Sequence, residues 1–598
     1  MDSSALRAIL VIFIPLALSP FCYLIEKISP KLRTAYALIL GFVTAGLTLS
    51  LIPSISKGNA ESILWIPGAD RIRFSICLDS LSVSVAVVAG VIGALVLLYS
   101  TKYMKPHEQE YSLSRYYWQT LLFIGGMIGL ALSSNLLVMY VFWEIIGFCS
   151  YALIAYYYRE PGVVGAGIKA FIVTRIGDIG FLVGILVLWR ATGTLNLFEV
   201  IDASHRGLIS FSLLSLAGAG FLAGAIGKSA QFPLHVWLPD AMVAPTTITA
   251  LIHAACLVNA GVYLLGRSYP VFASLSWWPI TVAWVGAVTA LGAATVALTE
   301  WDIKRVLAYS TISQLGYMVA AIGAGAILAG QFHLVSHGIF KALLFLCAGS
   351  IMHMMGGVKD LRQMGGLANY MPFTHITFAF GLLSLVGIPV WTGFFSKDLI
   401  LADMHQAGVY GPLVLLIIAA FFTAAYSWRM YWLAFRGEKR STVEVRESPP
   451  EMTIPLAILA LGSILFWLCI SPYTASMSSS LSKLYLVSHI SLSGLLHHTF
   501  LSSTVWITVA VVIFLIILTI EWRAFVLSSF ERPSAATLPL LRAYWVDIFY
   551  NRVILRGFLG FCQVFRRLQT GNLNYNNLAI VIGFIVFLIL LIAFGVPS

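Results

Sequence analysis

Ten ionisable side chains stand inside stretches that otherwise read as hydrocarbon. Glu144 sits in LVMYVFWEIIGFCSYALIAY, and Arg175 and Asp178 follow at i and i+3 in FIVTRIGDIGFLVGIL, close enough to share a helix face. Lys228 lies in FLAGAIGKSAQFPLHVWLPD and His253 in TALIHAACLVNAGVYLL. Then come His333, His337 and Lys341 in QFHLVSHGIFKALLFLCAGSIMHMMGG, at i, i+4 and i+8, which lines them along one face of a helix. Lys397 and Asp398 close GLLSLVGIPVWTGFFSKDLIL. A charge at membrane depth costs about 2.5–3.5 kcal/mol on insertion scales, so such residues face protein or water and mark ion routes.

Imidazole exchanges protons near neutral pH, and a row of histidines beside an amine suits a proton relay. A carboxylate moving toward or away from a buried amine switches that amine between holding and releasing a proton. Glu144 is the expected carboxylate for Lys228, with Arg175, Asp178 and Asp398 as supporting charges. A single buried charge is as easily a salt bridge that pins two helices; several in consecutive apolar runs favour transport. A zinc reading of His333 and His337 is weaker, since no Glu accompanies them and the third group is a cation.

These residues need a membrane scaffold. Of 598 residues, 59% are apolar and 10% charged, where soluble domains carry about 25% charged residues. Apolar runs of roughly twenty residues, the length that crosses about 30 Å of hydrocarbon, fall near 5–25, 35–55, 81–101, 117–134, 136–157, 167–190, 211–231, 243–266, 277–298, 305–328, 331–355, 372–393, 410–433, 453–471, 501–521 and 577–596. The sequence therefore predicts an all-α polytopic membrane protein of about sixteen transmembrane helices, the first retained rather than cleaved. Pro233 and Pro239, and further on Pro389, should break two of them. The seven cysteines form no CxxC pair and read as packing residues.

Loops carrying Lys27, Lys31, Arg33, Lys102, Lys105, Arg115, Arg159, Lys304, Arg305, Lys359, Arg362, Arg436, Lys439, Arg440 and Arg446 fall on one side, which the positive-inside rule makes cytoplasmic. Both termini then lie outside. The formal charge of +11 reads as topology signal, not nucleic-acid binding. Residues 542–568 alternate Ile548, Val553, Leu555, Phe558 and Phe561 with Arg552, Arg556, Arg566 and Arg567. This basic amphipathic stretch predicts a lateral helix of roughly 40 Å on the cytoplasmic surface or along neighbouring subunits.

The strings GKSAQFPLHVWLPDAMVAPTTITALIHAACLVNAGVYLL, DIKRVLAYSTISQLGYM, HLVSHGIFKALLFLCAGSIMHMMGG and GFFSKDLI resemble the antiporter-like subunits of respiratory complex I. WVDIFYNRVILRGFLGF and LQTGNLNY before the last run are similar to subunit L, called subunit 5 in mitochondria. The resemblance covers nearly the whole chain. It implies two inverted five-helix repeats and the divisions 1–115, 116–268 and 269–440 (the two repeats), 441–530, and 531–598 with the lateral helix. It also implies that Glu144 and Lys228 form the family's charge pair. His253, His333, His337 and Lys341 would lie on a central hydrated axis, and Lys397 toward the exit.

The function so implied is a non-redox, proton-translocating subunit of a quinone-reducing pump, and the Ala- and Gly-rich composition points to a prokaryotic plasma membrane rather than a mitochondrial one. With no GxGxxG after a strand and no cysteine cluster, the chain itself is expected to hold no cofactor. Quinone, flavin and iron–sulfur clusters would belong to partner subunits. Expected partners are other antiporter-like and small membrane subunits, the bilayer and, indirectly, peripheral redox subunits. The lateral stretch is shorter than is usual in subunit L, which leaves open how many neighbours it braces. Relatives with other partners offer the alternatives: F(420)H(2) dehydrogenases, membrane-bound hydrogenases, Mrp-type cation/proton antiporters and bicarbonate-uptake systems. A purely structural scaffold would leave Glu144, Lys228, His337 and Lys397 without purpose.

Overall fold

The computed structural model describes residues 3–481 apart from 58–59 and 65–72, and then 485, 490–501, 506, 509–510, 540, 543–568 and 582. The chain forms two compact units, Met1–Pro533 and Ser534–Ser598. In the first, helices follow one another as α1 (Ser3–Leu18), α2 (Pro30–Leu49), α3 (Ser80–Tyr103), α4 (Leu113–Leu132), α5 (Leu136–Ile154), α6 (Val163–Thr192), α7 (Phe211–Lys228), α8 (Thr246–Ala254), α9 (Leu257–Phe272), α10 (Trp277–Ala297), α11 (Ile303–Gly323), α12 (Ile327–Met354), α13 (Pro372–Val386), α14 (Thr392–Gln406), α15 (Tyr410–Phe435) and α16 (Pro450–Leu465).

Each of the first fourteen expected spans coincides with a helix or a broken pair of helices. Twelve helical segments among the described residues, some of them running across a break such as that between α8 and α9, are long and apolar enough to cross a membrane, and α13 is a shorter apolar helix. The expected spans 501–521 and 577–596 lie outside the described residues except at 501, 506, 509–510 and 582. A two-stranded antiparallel ribbon, Ala60–Leu64 with Arg73–Cys77, sits between α2 and α3 and pairs Ala60 with Cys77. It is the one strand pairing of any length among the described residues.

Side-chain caps start several helices. Asp79 and Ser82 form a reciprocal capping box at α3, the Asn135 carboxamide accepts from Leu137 and Val138 at α5, and Asp302 accepts from Lys304 and Arg305 at α11. Each satisfies amides that a helix N-terminus leaves unpaired. Asp79 does more: Arg267 of α9 grips both its oxygens, at 2.5 and 2.7 Å, fixing α3 to α9 within the protein.

Three helices are interrupted where charged residues cluster. α7 ends at Lys228, and the chain runs through Pro233 and Pro239 in short turns before α8. α8 stops just past His253, because Cys256 (φ −116, ψ −93) leaves the helical region; the sequence reading had one unbroken span here. α13 ends at Gly387 (φ +87), and Val390 is also left-handed (φ +84). This bears out the break at Pro389 but moves Lys397 and Asp398: they do not close the old span but lie in the second turn of a new helix, α14.

In the second unit, Val546–Phe549 leads through a π turn at Tyr550–Ile554 into the helix Leu555–Leu568. Tyr544 (φ 55, ψ 26) interrupts the backbone before it, so the helical run begins later than the sequence suggests. Phe558, Leu559, Phe561 and Val564 are exposed.

Candidate functional site

The site begins at the crossing of α6 and α7, where backbone touches backbone. A Cβ on Gly220 would meet the Gly180 carbonyl oxygen at 2.3 Å, and one on Gly177 the Ala223 oxygen at 2.5 Å. Only glycine permits this approach, and it carries Asp178 to the end of α7. Lys228 Nζ lies 3.4 Å from Asp178 Oδ2, with side chains 0% and 1% exposed. The Trp143 indole donates to Asp178 Oδ1 at 2.5 Å, and Lys228 Nζ stands 5.5 Å above the same ring. A cation over an aromatic face is held by the ring's quadrupole.

This corrects the expected pairing. Glu144 does not meet Lys228; it is ion-paired with Arg175, and both are partly exposed. The reason lies in the direction of neighbouring side chains on α5. Trp143 points inward to Asp178, whereas Glu144 points to the rim, where Arg175 packs on the Phe171 ring at 4.6 Å. Gly147, one turn past Glu144, leaves a gap that the amine fills: a Cβ there would stand 2.6 Å from Lys228 Nζ.

A second group lies along α12, which packs against α8, α11 and α14. His333, His337 and Lys341 are all 0% exposed. His333 contacts Ser396 Oγ of α14 through Nδ1 at 2.9 Å and Gln314 Oε1 of α11 through Nε2 at 3.1 Å. Its ring centre lies 6.4 Å from that of His337. Neither nitrogen of His337, and neither of His253, has a hydrogen-bond partner among the described residues. The His253 ring packs on Phe345 at 4.6 Å. Lys341 donates to Ser310 Oγ of α11.

The third group is at the α13–α14 break. Lys397 Nζ donates to the Leu385 and Val386 carbonyls at 3.0 and 3.3 Å, which the end of α13 leaves without helical partners. The amine also stands 5.3 Å from the centre of the Tyr317 ring. Asp398 is buried, and its Oδ2 has no hydrogen-bond partner among the described residues.

Sequence reasoning thus found the lysines and histidines but missed the groups between them. Ser310, Gln314 and Tyr317 recur at i, i+4 and i+7 along α11, within DIKRVLAYSTISQLGYM. That polar stripe in an apolar span was readable by helical period. Ser396, next to Lys397, carried no such signal. Trp143 and Gly147 became meaningful only once the α5–α6–α7 crossing was known.

Similar proteins point the same way. A family model described as "NADH:quinone oxidoreductase/Mrp antiporter, TM" matches residues 133–423, and one for the N-terminus of chain 5 of complex I matches 65–117. NAD(P)H-quinone oxidoreductase chain 5 of Synechocystis is 42% identical over 470 residues, covering 69% of this chain and 68% of that protein. F(420)H(2) dehydrogenase subunit L of Methanosarcina mazei is 38% identical over 474 residues, covering 73% and 69%. Among solved structures, the Mrp complex from Dietzia superposes on 100% of this chain and 64% of its own, with a TM-score of 0.80 and 26% identity.

Proposed function

The chain belongs to the NADH:quinone oxidoreductase/Mrp antiporter family of membrane subunits, and from that premise we propose that it carries protons across a prokaryotic plasma membrane as the subunit-L-type member of a quinone-reducing complex. The observation that carries the reading is the Lys228–Asp178 pair, 3.4 Å apart and shut off from solvent. The direct attraction at that distance is on the order of 5 kcal/mol at an effective dielectric of about 20. A change of that pairing is therefore large enough to decide which site holds a proton.

In the row itself, Lys341 and the flanking His253 and His337 hold and pass the proton, and His333 hands it through Ser396 toward Lys397. Buried polar atoms in native proteins are satisfied by protein or by water. Imidazole nitrogens without protein partners among the described residues, at His253 and His337, accordingly mark water positions between the lysines. A proton moves along such a chain when each step is within hydrogen-bond reach or one water. Glu144 and Arg175, at the rim, set the field at one end, and Asp398 does so at the other.

Electron transfer belongs to partner chains holding quinone, flavin and iron–sulfur groups; this chain contributes translocation. The neighbouring subunits of its membrane arm are further antiporter-like and small membrane proteins. The amphipathic segment 546–568 lies on the cytoplasmic side against them, and both termini lie outside. The Mrp neighbour, matched across the whole chain, favours a second reading as part of a cation/proton antiporter. Purification of the assembly separates them: co-purifying peripheral redox subunits, with proton uptake into inverted vesicles driven by quinone reduction, support the first. Sodium-gradient-driven proton movement without redox subunits supports the second.

A further inference from the structure

Between α13 and α15 an apolar groove of about 250 Å³ runs from Tyr431 and Trp428 past Leu382 to Val386 and Ile388. The two helices are antiparallel, with His375 against Tyr431, Phe378 against Phe435 and Val386 against Ala424, so the Tyr431 end lies at the lysine- and arginine-rich face and the Ile388 end deep in the span. The same helices expose Phe373, Ile376, Val414 and Ile418, as surfaces facing hydrocarbon do.

The mouth of the groove is cationic and aromatic. The Tyr431 hydroxyl is bonded to His375 Nε2 at 2.8 Å and accepts from Arg436 at 3.4 Å. Arg436 is exposed, and Lys439 stands 4.8 Å from the centre of the Tyr370 ring. Two acids stand near: Glu438, exposed between Arg436 and Lys439 in the chain, leaves the segment 436–439 net positive, and Glu447 is turned the other way, its carboxylate accepting from Phe373 N at 2.9 Å, Thr374 N at 3.1 Å and Thr374 Oγ1 at 2.6 Å, capping α13.

We propose that this groove holds one acyl chain of an anionic phospholipid whose phosphate is bound by Arg436 and Lys439 at the membrane surface. Charge complementarity selects the occupant: an anionic lipid brings phosphate to the cationic mouth and hydrocarbon to the apolar groove in one molecule. Basic residues at the surface draw anionic headgroups, and aromatic residues sit at the same level. The deep end has a consequence. The Val386 carbonyl accepts from Lys397 Nζ, and Val386 also lines the groove. A chain seated there puts hydrocarbon, not water, on the outer side of the Lys397 contact.

The test uses the complete assembly in phosphatidylcholine vesicles containing a minor fraction of lipid brominated at mid-chain, either phosphatidylglycerol or phosphatidylcholine. The fluorescence lost between wild type and Trp428→Phe isolates Trp428. Brominated phosphatidylglycerol should quench that share at a several-fold lower mole fraction than brominated phosphatidylcholine. In R436Q/K439Q, whose changes are confined to the mouth, the two lipids should become equal. Equal quenching in the wild type would overturn the site, and so would no quenching by either lipid, which would mean that protein covers the groove. Neither readout involves proton transport.

Discussion

Lys228 faces Asp178 rather than Glu144: Nζ and Oδ2 are 3.4 Å apart, while Glu144 is taken by Arg175. The two carboxylates therefore have different tasks, one holding the buried amine and the other placed at the rim. This relationship follows from the glycine-lined crossing of α6 and α7, and it orders the expected effects of mutation.

Asp178→Asn should reduce redox-driven proton uptake in inverted vesicles more than Glu144→Gln does. Both changes keep side-chain volume, so assembly on native gels should survive. Asn removes the charge that holds Lys228, whereas Gln disturbs a pair that does not include that amine. Equal losses, or a larger loss in Glu144→Gln, would contradict the assignment.

Gly147→Ala is the smallest change aimed at the same amine. Its methyl would stand 2.6 Å from Lys228 Nζ, so the lysine must move from its place over Trp143. Pumping should fall severalfold in a normally assembled complex. Wild-type pumping would show that the amine's position over Trp143 does not matter.

Along α12, His333 is fixed by Ser396 and Gln314, while His337 has no such hold. His337→Gln should keep some activity, because an amide still orders water, and His337→Ala should lose more. Ser396→Ala should slow pumping without changing the amount of complex. Initial rates of vesicle acidification distinguish these, and indifference to Ser396→Ala would remove it from the path.

The Asp79–Arg267 clamp is a matter of stability. Burial alone would raise the Asp79 carboxyl, but the Arg267 guanidinium outweighs it and holds it down to about 2. The carboxyl thus sits below its usual unfolded value of about 3.9. A depressed carboxyl contributes stability that is in full above the unfolded value and lost as pH falls through the folded one. The clamp should therefore be constant from pH 5 to 8. Asp79→Asn should lower the thermal transition of the detergent-solubilised complex by the same amount at both pH values, since breaking a buried pair costs about 3–5 kcal/mol. A pH-dependent difference over that range would contradict the clamp.

Length, hydropathy and the charges inside apolar runs made the membrane fold legible, because a 30 Å slab imposes run lengths that composition cannot hide. The lysine and histidine positions were legible for the same reason: charge at that depth stands out. The partner of Lys228 was not. Sequence spacing placed Asp178 and Arg175 on one face of α6, but only the rotation of α5, α6 and α7 about their glycine contacts decides which carboxylate reaches which cation. The break after His253 was equally hidden, since Ala255 and Cys256 carry no breaker chemistry. Pro389 with Gly387 announced its break openly.

The central claim, that the buried row moves protons rather than pinning helices, is tested most directly at Lys341. Arginine keeps the charge and the capacity to donate to Ser310, but a guanidinium does not release its proton at any working pH. The measurement is the initial rate of proton uptake, per quinone reduced, in inverted vesicles carrying Lys341→Arg in a fully assembled complex. Collapse of that ratio with assembly intact is the predicted result. A ratio near that of the wild type would contradict the account and reduce the row to polar packing.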